Sequence, residues 1–361
     1  MGMDLATAAD LLRGDEPLQR QALHLHLEGA VVRVRSNSAP LLQRLEHYFG
    51  HVTGPPAETM IEVIAIDRDP PDPGVAFRDW AREPGKQGRK DAWYDLPGGR
   101  LIRKVRTGML FLQSESVRIA AGPCLEYDNQ VINFINAQYM NLLQQRGCII
   151  CHASGLVHDG RCLGIAGFSG GGKSTLMLHL LAHDGIAFLT NDRLFICDDH
   201  GSPRALGIPK LPRVNPGTIV HDPILQSMIP EPERQRLLRL PEQQLWELEQ
   251  KYDVMIDELY GPGKIVPSAP LASFLVLNWQ RGSAGPLRVE RVELAQRRDL
   301  LRAIMKSPGP FYQYADGHFQ RDDQGFDEAA YLAALEGVTV HEARGGVDFD
   351  ALTRHCLERI L

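Results

Sequence analysis

LGIAGFSGGGKSTLMLHLL, residues 163–181, is the stretch that decides the fold of this chain. Residues 167–174 satisfy the pattern G-x-x-x-x-G-K-[ST] at every position. The apolar residues 163–166 before this loop predict a strand, and residues 173–183 after it predict an amphipathic helix. A strand, a glycine-rich loop and a helix in that order predict an α/β protein that binds a nucleoside triphosphate.

The glycine loop, residues 167–174, has the residue types needed to hold ATP with Mg²⁺. Glycines allow the backbone angles that turn successive amide N–H groups inward around phosphate oxygens. Lys173 brings a positive charge to the β and γ phosphates, and the Ser174 hydroxyl is a ligand for Mg²⁺. The positive end of the helix dipole faces the same anion. The predicted nucleotide-binding residues are Gly167, Phe168, Ser169, Gly170, Gly171, Gly172, Lys173, Ser174 and Thr175.

Composition places the chain among globular proteins and argues against several other classes. Of its 361 residues, 43% are hydrophobic and 23% are charged, and no uncharged apolar run reaches the length of a membrane span. The net charge of −6 argues against broad capture of nucleic acid, which needs a basic surface. Residues 1–10 have neither a basic start nor an apolar core, so no secretory signal is predicted. We therefore expect a cytoplasmic protein with no nucleic-acid partner and no membrane association.

The chain divides by pattern into two predicted domains. Residues 1–125 have the pattern of an N-terminal α+β domain without a chemistry-bearing motif, and residues 126–361 form the domain that carries the loop. This second domain begins with an amphipathic helix, and after Gly147 the pattern changes to short, dense strands. A proline-rich segment, 209–223, follows further along. Residues 225–262 are charged and helical in character, which predicts a helical arm or lid.

Six cysteines occur, and one pair has C-x-x-C spacing. Cys148 and Cys151 lie inside an apolar stretch that predicts a strand, whose alternation would point the two thiols to opposite faces. No second C-x-x-C completes a zinc site. Structural burial of the thiols is therefore predicted in preference to redox or metal chemistry.

The surroundings of the loop resemble the HPr kinase/phosphorylase family in three features. His152 ends a strand before the hairpin that leads into the loop, the loop itself follows, and Asn191-Asp192 end the next strand where the family has an acidic pair. Order and spacing agree over residues 148–197. The run PKLPRVNPGT, residues 209–218, is similar to the branch called HPr kinase-related kinase B. The resemblance implies an α/β fold with a P-loop phosphoenolpyruvate-carboxykinase-like, HPr kinase-like core.

The resemblance also implies residue roles in an ATP-dependent kinase. His152 matches the histidine that faces the transferred phosphate, and Asp192 matches the second aspartate, implied to contact Mg²⁺ or to orient the nucleophile. Asn191 replaces the first aspartate, and an amide cannot take a proton as a carboxylate does. Asp192, His152 and Lys173 are therefore the predicted catalytic residues, and Ser174 and Asp192 the predicted metal ligands. HPr kinases are oligomeric, which implies a homo-oligomer by analogy.

One departure from the family bears on the substrate. The family's downstream glutamate signature, E-[IV]-R-G-[LI]-G, has no match, and the corresponding segment carries Lys210, Arg213 and Asn215. Two cations and an amide suit a phosphate or a carboxylate better than a metal. We therefore expect one metal ion instead of two. The predicted substrate residues are Asn191, Lys210, Arg213 and Asn215. The resemblance therefore does not imply that HPr itself is the phosphorylated substrate.

Three functions fit these residues, and the first is favoured. A kinase would transfer the γ-phosphate of ATP to a hydroxyl of a small molecule or to a serine or threonine of a protein, and the sequence does not identify which. A regulator or scaffold would bind ATP without transfer, which Asn191 and the missing glutamate favour. A hydrolase or phosphorylase would release phosphate from a phosphoprotein. The candidate residues also fit purely structural roles. His152 fits a core histidine, and Asn191-Asp192 fit a turn that ends a strand. Lys210, Arg213 and Asn215 fit residues that brace the proline-rich segment.

Overall fold

The fold is that of a computed structural model, which describes residues 2–81, 88–168, 170–248, 250–279 and 285–361. Contacts divide the chain into two compact units. The first comprises Met1–Arg146 with Ser307–Phe326, and the second comprises Gly147–Lys306 with Asp327–Leu361. This division differs from a single boundary after residue 125, because the long helix before Gly147 and a later segment both belong to the first unit.

The first unit has three helices and a mixed eight-stranded sheet among the described residues. The helices are α1 (Leu5–Arg13), α2 (Ala39–Tyr48) and α3 (Asp128–Gln145). The strands are β1 (Leu23–Leu27), β2 (Ala30–Ser36), β3 (Ile61–Asp67), β4 (Arg78–Asp79), β5 (Asp91–Leu96), β6 (Gly99–Lys104), β7 (Leu110–Ser114) and β8 (Arg118–Gly122). Their order is β1-β2-β3-β8-β7-β6-β5-β4, with β2–β3 and β3–β8 parallel. The described part of this unit therefore combines helices with a mixed sheet.

Aromatic packing explains why α3 and the later segment belong to the first unit. Phe134 of α3 lies 5.0 Å from Phe111 of β7, measured between ring centroids. Phe311, from the segment Ser307–Phe326, lies 5.5 Å from both rings. Asn141 also donates a hydrogen bond to the carbonyl of Phe311 at 2.8 Å. Buried aromatic contacts of this kind join residues far apart in sequence, so local pattern did not show them.

The second unit contains the glycine loop and eight described helices. These are α4 (Lys173–Leu181), α5 (Pro216–Ile219), α6 (Glu231–Leu238), α7 (Glu242–Glu247), α8 (Ile256–Leu259), α9 (Leu301–Ile304), α10 (Glu328–Ala334) and α11 (Phe349–Arg359). The strands are β9 (Ile149–Cys151), β10 (Ala153–His158), β11 (Arg161–Gly167), β12 (Ile186–Thr190), β13 (Leu194–Asp199), β14 (Ser202–Leu206), β15 (Arg213–Val214), β16 (Tyr252–Asp253), β17 (Ser268–Leu277), β18 (Arg288–Val292) and β19 (Thr339–Arg344). Of all the helices in the described ranges, none has the length and apolar character of a membrane span.

A mixed nine-stranded sheet forms the centre of this unit, which makes the whole chain an α/β protein. Its main path is β12-β10-β11-β17-β14-β13-β9, and β19 pairs with both β17 and β18. β11, β17 and β19 run parallel to one another, whereas β10 is antiparallel to β11 and β12 is antiparallel to β10. The predicted hairpin into the loop and the helix after the loop are confirmed.

The predicted helical arm at 225–262 is not continuous. It contains the short helices α6, α7 and α8, together with β16, which pairs with β15. Pro230 and Pro241 are the residues immediately before α6 and α7. Proline fixes its own backbone angle and disfavours helix in the residue before it, so each proline starts a new helix and prevents a longer one.

Two of the six cysteines are bonded to each other, which corrects the prediction that all were buried as thiols. Cys148, the residue before β9, forms a disulfide with Cys197 inside β13. The antiparallel register pairs Ile149 with Ile196, so Cys148, which precedes Ile149, comes opposite Cys197, which follows Ile196. The remaining cysteines, Cys124, Cys151, Cys162 and Cys356, are buried and free.

Candidate functional site

Three chain segments meet at one edge of the nine-stranded sheet. β11 ends there and runs into the glycine loop, the antiparallel β10 starts there, and β12 ends there because it is antiparallel to β10. The paired residues at this edge are Ala153 with Ala166 and Gly155 with Thr190. His152, just before β10, and Asn191 and Asp192, just after β12, are therefore brought next to the loop.

The glycine loop makes a tight turn that ends at the start of a helix. Gly170 and Gly172 have φ angles of 76° and 82°, in the region that glycine adopts without a steric penalty. Gly172 is the residue before α4, so the free amide groups of the first helical turn point toward the loop. The ammonium group of Lys173 donates to the carbonyl of Gly167 at 3.1 Å. Such a turn at a helix start is suited to an anion.

The other residues assigned to the loop differ in exposure. Phe168 is 40% exposed, although it is a large apolar side chain. Ser174 and Thr175 lie in the first turn of α4 and are half-buried. Ser169 lies outside the described residues.

Asn191 connects the loop to β10 through its side-chain oxygen. This oxygen accepts a hydrogen bond from the Ser174 hydroxyl at 3.0 Å and one from the Ser154 hydroxyl at 2.9 Å. Asn191 is 8% exposed and Ser154 is fully buried, so water has little access to this network. Because Ser174 gives its hydrogen to Asn191, the lone pairs of its oxygen are available to a cation. The structure therefore makes Asn191 a positioning residue for Ser174.

The Asp192 carboxylate is held by two side chains, the imidazole of His152 and the guanidinium of Arg193. Its Oδ1 lies 2.9 Å from Nε2 of His152, and its Oδ2 lies 2.6 Å from Nη1 of Arg193. Its backbone is in the left-handed region, with φ of 69°, where residues with a side chain are uncommon. Unfavourable backbone angles of this kind concentrate at functional sites, where the surrounding structure holds them.

The pKa values at this site depend on burial and on neighbouring charges. Burial would raise the pKa of Asp192, but Arg193, His152 and Lys210 outweigh it and lower the pKa of the carboxyl far below its usual range. For His152, the hydrogen bond to Asp192 raises the pKa, whereas burial and the charge of Lys173 lower it, and the net shift is downward. At neutral pH the carboxylate is therefore ionised and the imidazole is neutral.

Positive charge exceeds negative charge around this pair. Burial lowers the pKa of Lys173, and the charges of Lys306 and Arg193 lower it further. The charge of Lys210 lowers the pKa of Asp192, and the charge of Lys306 lowers the pKa of His152. Four cationic side chains thus surround one carboxylate, an arrangement that favours binding of a polyanion.

Lys306 was not predicted from the sequence. It follows Met305, which forms an antiparallel bridge with Cys151, and the amide of His152 donates to the carbonyl of Ile304 at 2.7 Å. This pairing sets a segment more than a hundred residues away in sequence alongside His152. No motif surrounds Lys306, so only the tertiary pairing identifies it.

The structure does not group Arg213 and Asn215 with the residues above. Arg213 forms an ion pair with Asp253 of β16, with 3.1 Å between Nε and Oδ1. Asn215 precedes α5, and its buried side-chain oxygen has no hydrogen-bond partner within the described ranges. Of the residues assigned to the acceptor site, Asn191 accepts a hydrogen bond from Ser174 of the loop, and the charge of Lys210 lowers the pKa of Asp192.

The donor atoms present fit a single Mg²⁺ ion that is held mainly by its nucleotide. Within the described residues, no three His, Cys, Asp or Glu side chains cluster as a metal site would require. Ser174 and Asp192 offer a hydroxyl and a carboxylate on neighbouring elements. Mg²⁺ commonly takes one or two protein oxygens and completes its shell with phosphate oxygens and water.

Among the comparisons with known proteins, only those with solved structures give matches. No family model matches the chain, and no curated protein sequence matches it. Among solved structures, the Hpr(Ser) kinase/phosphatase from Coxiella burnetii is similar over 58% of this chain and 93% of its own, with 13% sequence identity and a TM-score of 0.27. At that identity and TM-score, the likeness assigns neither an activity nor a substrate.

Proposed function

We propose that this protein is an ATP-dependent phosphotransferase of the HPr kinase-related type. It transfers the γ-phosphate of ATP to a hydroxyl group of a small molecule or of a protein serine or threonine. The observation that carries the proposal is the pair of His152 and Asp192, 2.9 Å apart between Nε2 and Oδ1, beside a glycine loop that begins a helix. Phosphoryl transfer needs alignment and charge neutralisation more than covalent chemistry, and this site supplies both.

The loop and its cations would hold the nucleotide. Backbone amides at the start of α4 and the ammonium group of Lys173 bind phosphate oxygens. Ser174, oriented by Asn191, and Asp192 hold the Mg²⁺ ion, which neutralises charge on the phosphates when it is bound. Lys210 and Lys306 add positive charge where the terminal phosphate and the acceptor meet.

His152 is the better proton acceptor of the central pair. An ionised carboxylate only accepts hydrogen bonds, so Nε2 of His152 carries the hydrogen that it shares with Asp192. The lone pair is then on Nδ1, where it takes the proton of the acceptor hydroxyl as the new P–O bond forms and the bond from the γ phosphorus to the bridging oxygen of ADP breaks. The pKa of Asp192 is too low for that role, so Asp192 orients the imidazole and supports the metal ion.

Transfer of label from γ-labelled ATP tests the proposal. The protein is incubated with Mg²⁺, labelled ATP and separate small-molecule and protein fractions of a cell extract, and ADP and labelled products are separated. Wild-type protein should label a product in one fraction, and Lys173→Ala and Asp192→Ala should abolish that label. Phe326→Ala is the matched control, because Phe326 is 49% exposed and belongs to the other unit.

Two other outcomes identify the alternatives. ATP binding without ADP formation in any fraction indicates a nucleotide-dependent regulator, which the amide of Asn191 and the low pKa of Asp192 both favour. Labelled inorganic phosphate released from a labelled phosphoprotein indicates a hydrolase, and labelled pyrophosphate formed with added inorganic phosphate indicates a phosphorylase. ATP binding without turnover, or either of these activities without any transfer from ATP, refutes the transfer reaction. Sedimentation of the full chain tests the homo-oligomer that the family resemblance implies.

A further inference from the structure

The sheet order separates two sides of the glycine loop. His152 and Asp192 adjoin β10 and β12, on one side of β11. On the other side, β17 and β19 run parallel to β11, with Gly167 paired to Leu277 and Leu277 paired to Ala343. The carboxyl ends of these three strands therefore meet at the same edge. A nucleotide with its phosphates on the loop and its terminal phosphate toward His152 would extend its other end over β17 and β19.

A small apolar cavity lies on that second side. Its volume is about 280 Å³, close to the lower end of the range for ligand pockets. Aromatic, aliphatic and glycine residues line it, and none of the lining side chains in the described part of the chain is charged. The lining residues are Phe168, Gly170, Gly171, Leu277, Trp279, Val347 and Phe349. A charged ligand would find no charged partner among the described side chains there, whereas a flat uncharged ring needs none.

Two aromatic residues of the cavity, Trp279 and Phe349, contact the glycine loop directly. The indole N–H of Trp279 donates to the carbonyl of Gly171 at 2.8 Å. The ring of Phe349 packs so closely on Gly172 that a Cβ at that position would lie 2.5 Å from its Cζ. Trp279 and Phe349 meet edge to face, with centroids 5.0 Å apart and planes at 84°. Both rings are therefore fixed relative to the amides of the loop.

We propose that this aromatic cavity is the subsite for the purine base of the nucleotide, with Phe168 as the stacking side chain. The inference rests on the proposed nucleotide binding and adds where the base lies and how it is recognised. Phe168 is 40% exposed in the loop itself, which leaves its ring face open to a partner. Stacking on an aromatic ring contributes to binding without reading hydrogen-bond groups on the base edge.

The lining also determines base selectivity. Among the described lining residues, only Trp279 has a side chain that can donate or accept a hydrogen bond, and its N–H is bonded to Gly171. Discrimination between adenine and guanine requires such groups, since a missing partner is what rejects the wrong base. ATP and GTP should therefore bind with similar affinity, and CTP, with a smaller ring, more weakly.

Binding of nucleotides and of inorganic tripolyphosphate to the full chain tests the subsite. Calorimetric titrations with Mg²⁺ use ATP, GTP, CTP and tripolyphosphate on wild type, Phe168→Ala, Phe349→Leu and the control Phe326→Ala. We expect Phe168→Ala to weaken ATP binding by about 5-fold to about 150-fold while tripolyphosphate binding is unchanged, because it removes only base stacking. Proton NMR should show upfield shifts of adenine H2 and H8 with wild type and smaller shifts with Phe168→Ala.

The results separate failure of the subsite from failure of nucleotide binding. If wild type binds ATP but Phe168→Ala and Phe349→Leu bind it equally well, the base lies elsewhere and the subsite is refuted. If ATP binds and GTP does not, the base edge is read and the predicted lack of selectivity is wrong. If wild type binds neither ATP nor tripolyphosphate, the proposed function fails and the subsite fails with it.

Discussion

Ser174 of the loop helix and Asn191 at the end of β12 are joined by a hydrogen bond of 3.0 Å, and Ser154 bonds to the same Asn191 oxygen at 2.9 Å. Leucine at position 191 would leave both hydroxyls without this acceptor, that of Ser154 fully buried and that of Ser174 half-buried. We expect Asn191→Leu to lower the free energy of unfolding by about 1–3 kcal/mol for the buried Ser154 hydroxyl, and by less for Ser174, which water can reach. It should also weaken Mg²⁺-ATP binding, because Ser174 loses its orientation. Urea unfolding and ATP titration measure the two effects.

Two matched variants separate the parts of this network. Asn191→Asp keeps an acceptor oxygen for both serines, so it should unfold closer to wild type than Asn191→Leu does. Ser154→Ala removes one donor and leaves the bond between Ser174 and Asn191 intact, so ATP affinity should not change. Equal ATP affinity in wild type and Asn191→Leu would contradict a positioning role for Asn191.

The backbone of Asp192 allows a second prediction that compares two substitutions. Asp192→Ala and Asp192→Gly both remove the carboxylate that binds His152 and Arg193, but only glycine adopts a φ of 69° without a steric penalty. Asp192→Gly should therefore be more stable than Asp192→Ala by about 1 kcal/mol. Urea unfolding of the pair gives the difference directly. Equal stability, or a more stable alanine variant, would show that the left-handed backbone at 192 is not strained.

The parts of the site that lie close together in sequence were predictable. The hairpin of β10 and β11, the glycine loop and α4 occupy residues 153–181, and each has its own local pattern of apolar residues and glycines. His152 and Asp192 were indicated by the resemblance to the HPr kinase/phosphorylase family, because the local pattern did not predict that β10 and β12 pair. Local periodicity therefore predicted the elements, and the resemblance indicated which residues lie beside the loop.

The parts that depend on distant pairing were not predictable. Lys306 is near His152 because Met305 bridges Cys151, a contact between segments with no shared motif. Arginine is usually exposed, yet Arg100 is 1% exposed and paired with Asp95, and its guanidinium carbon lies 4.5 Å from the centroid of the Trp93 ring. The positions of Lys306 and Arg100 depend on how whole helices and strands pack together. A single sequence carries no local signal for that packing.

The disulfide provides a third prediction about stability. Cys148 and Cys197 are 49 residues apart, so their bond restricts a long loop of the unfolded chain. Chain-entropy reasoning gives a stabilisation of about 4 kcal/mol for a loop of this length. Dithiothreitol should therefore lower the urea midpoint of wild type, and it should have no effect on the double variant Cys148→Ser, Cys197→Ser. An identical midpoint with and without reductant in wild type would contradict the bond.

The fourth prediction concerns the pKa of His152, which proton NMR can follow. The imidazole should titrate below its ordinary value of about 6.5, because burial and the charges of Lys173 and Lys306 outweigh the hydrogen bond to Asp192. Lys306→Gln removes a repelling charge and should raise this pKa, whereas Asp192→Asn removes a partner that stabilises the imidazolium and should lower it. The chain has 13 histidines, so a His152→Gln spectrum identifies the resonance.

Nucleotide binding should reverse this shift. A triphosphate on the loop places several negative charges beside Lys173 and Lys306, so the imidazolium of His152 becomes easier to form and its pKa rises. Tripolyphosphate should raise it in wild type and have a much smaller effect in Lys173→Ala, which binds the anion weakly. If saturating tripolyphosphate leaves the His152 titration unchanged while binding is observed by calorimetry, the anion does not bind near His152. The terminal phosphate would then lie away from the pair of His152 and Asp192, and the transfer mechanism proposed for this site would be wrong.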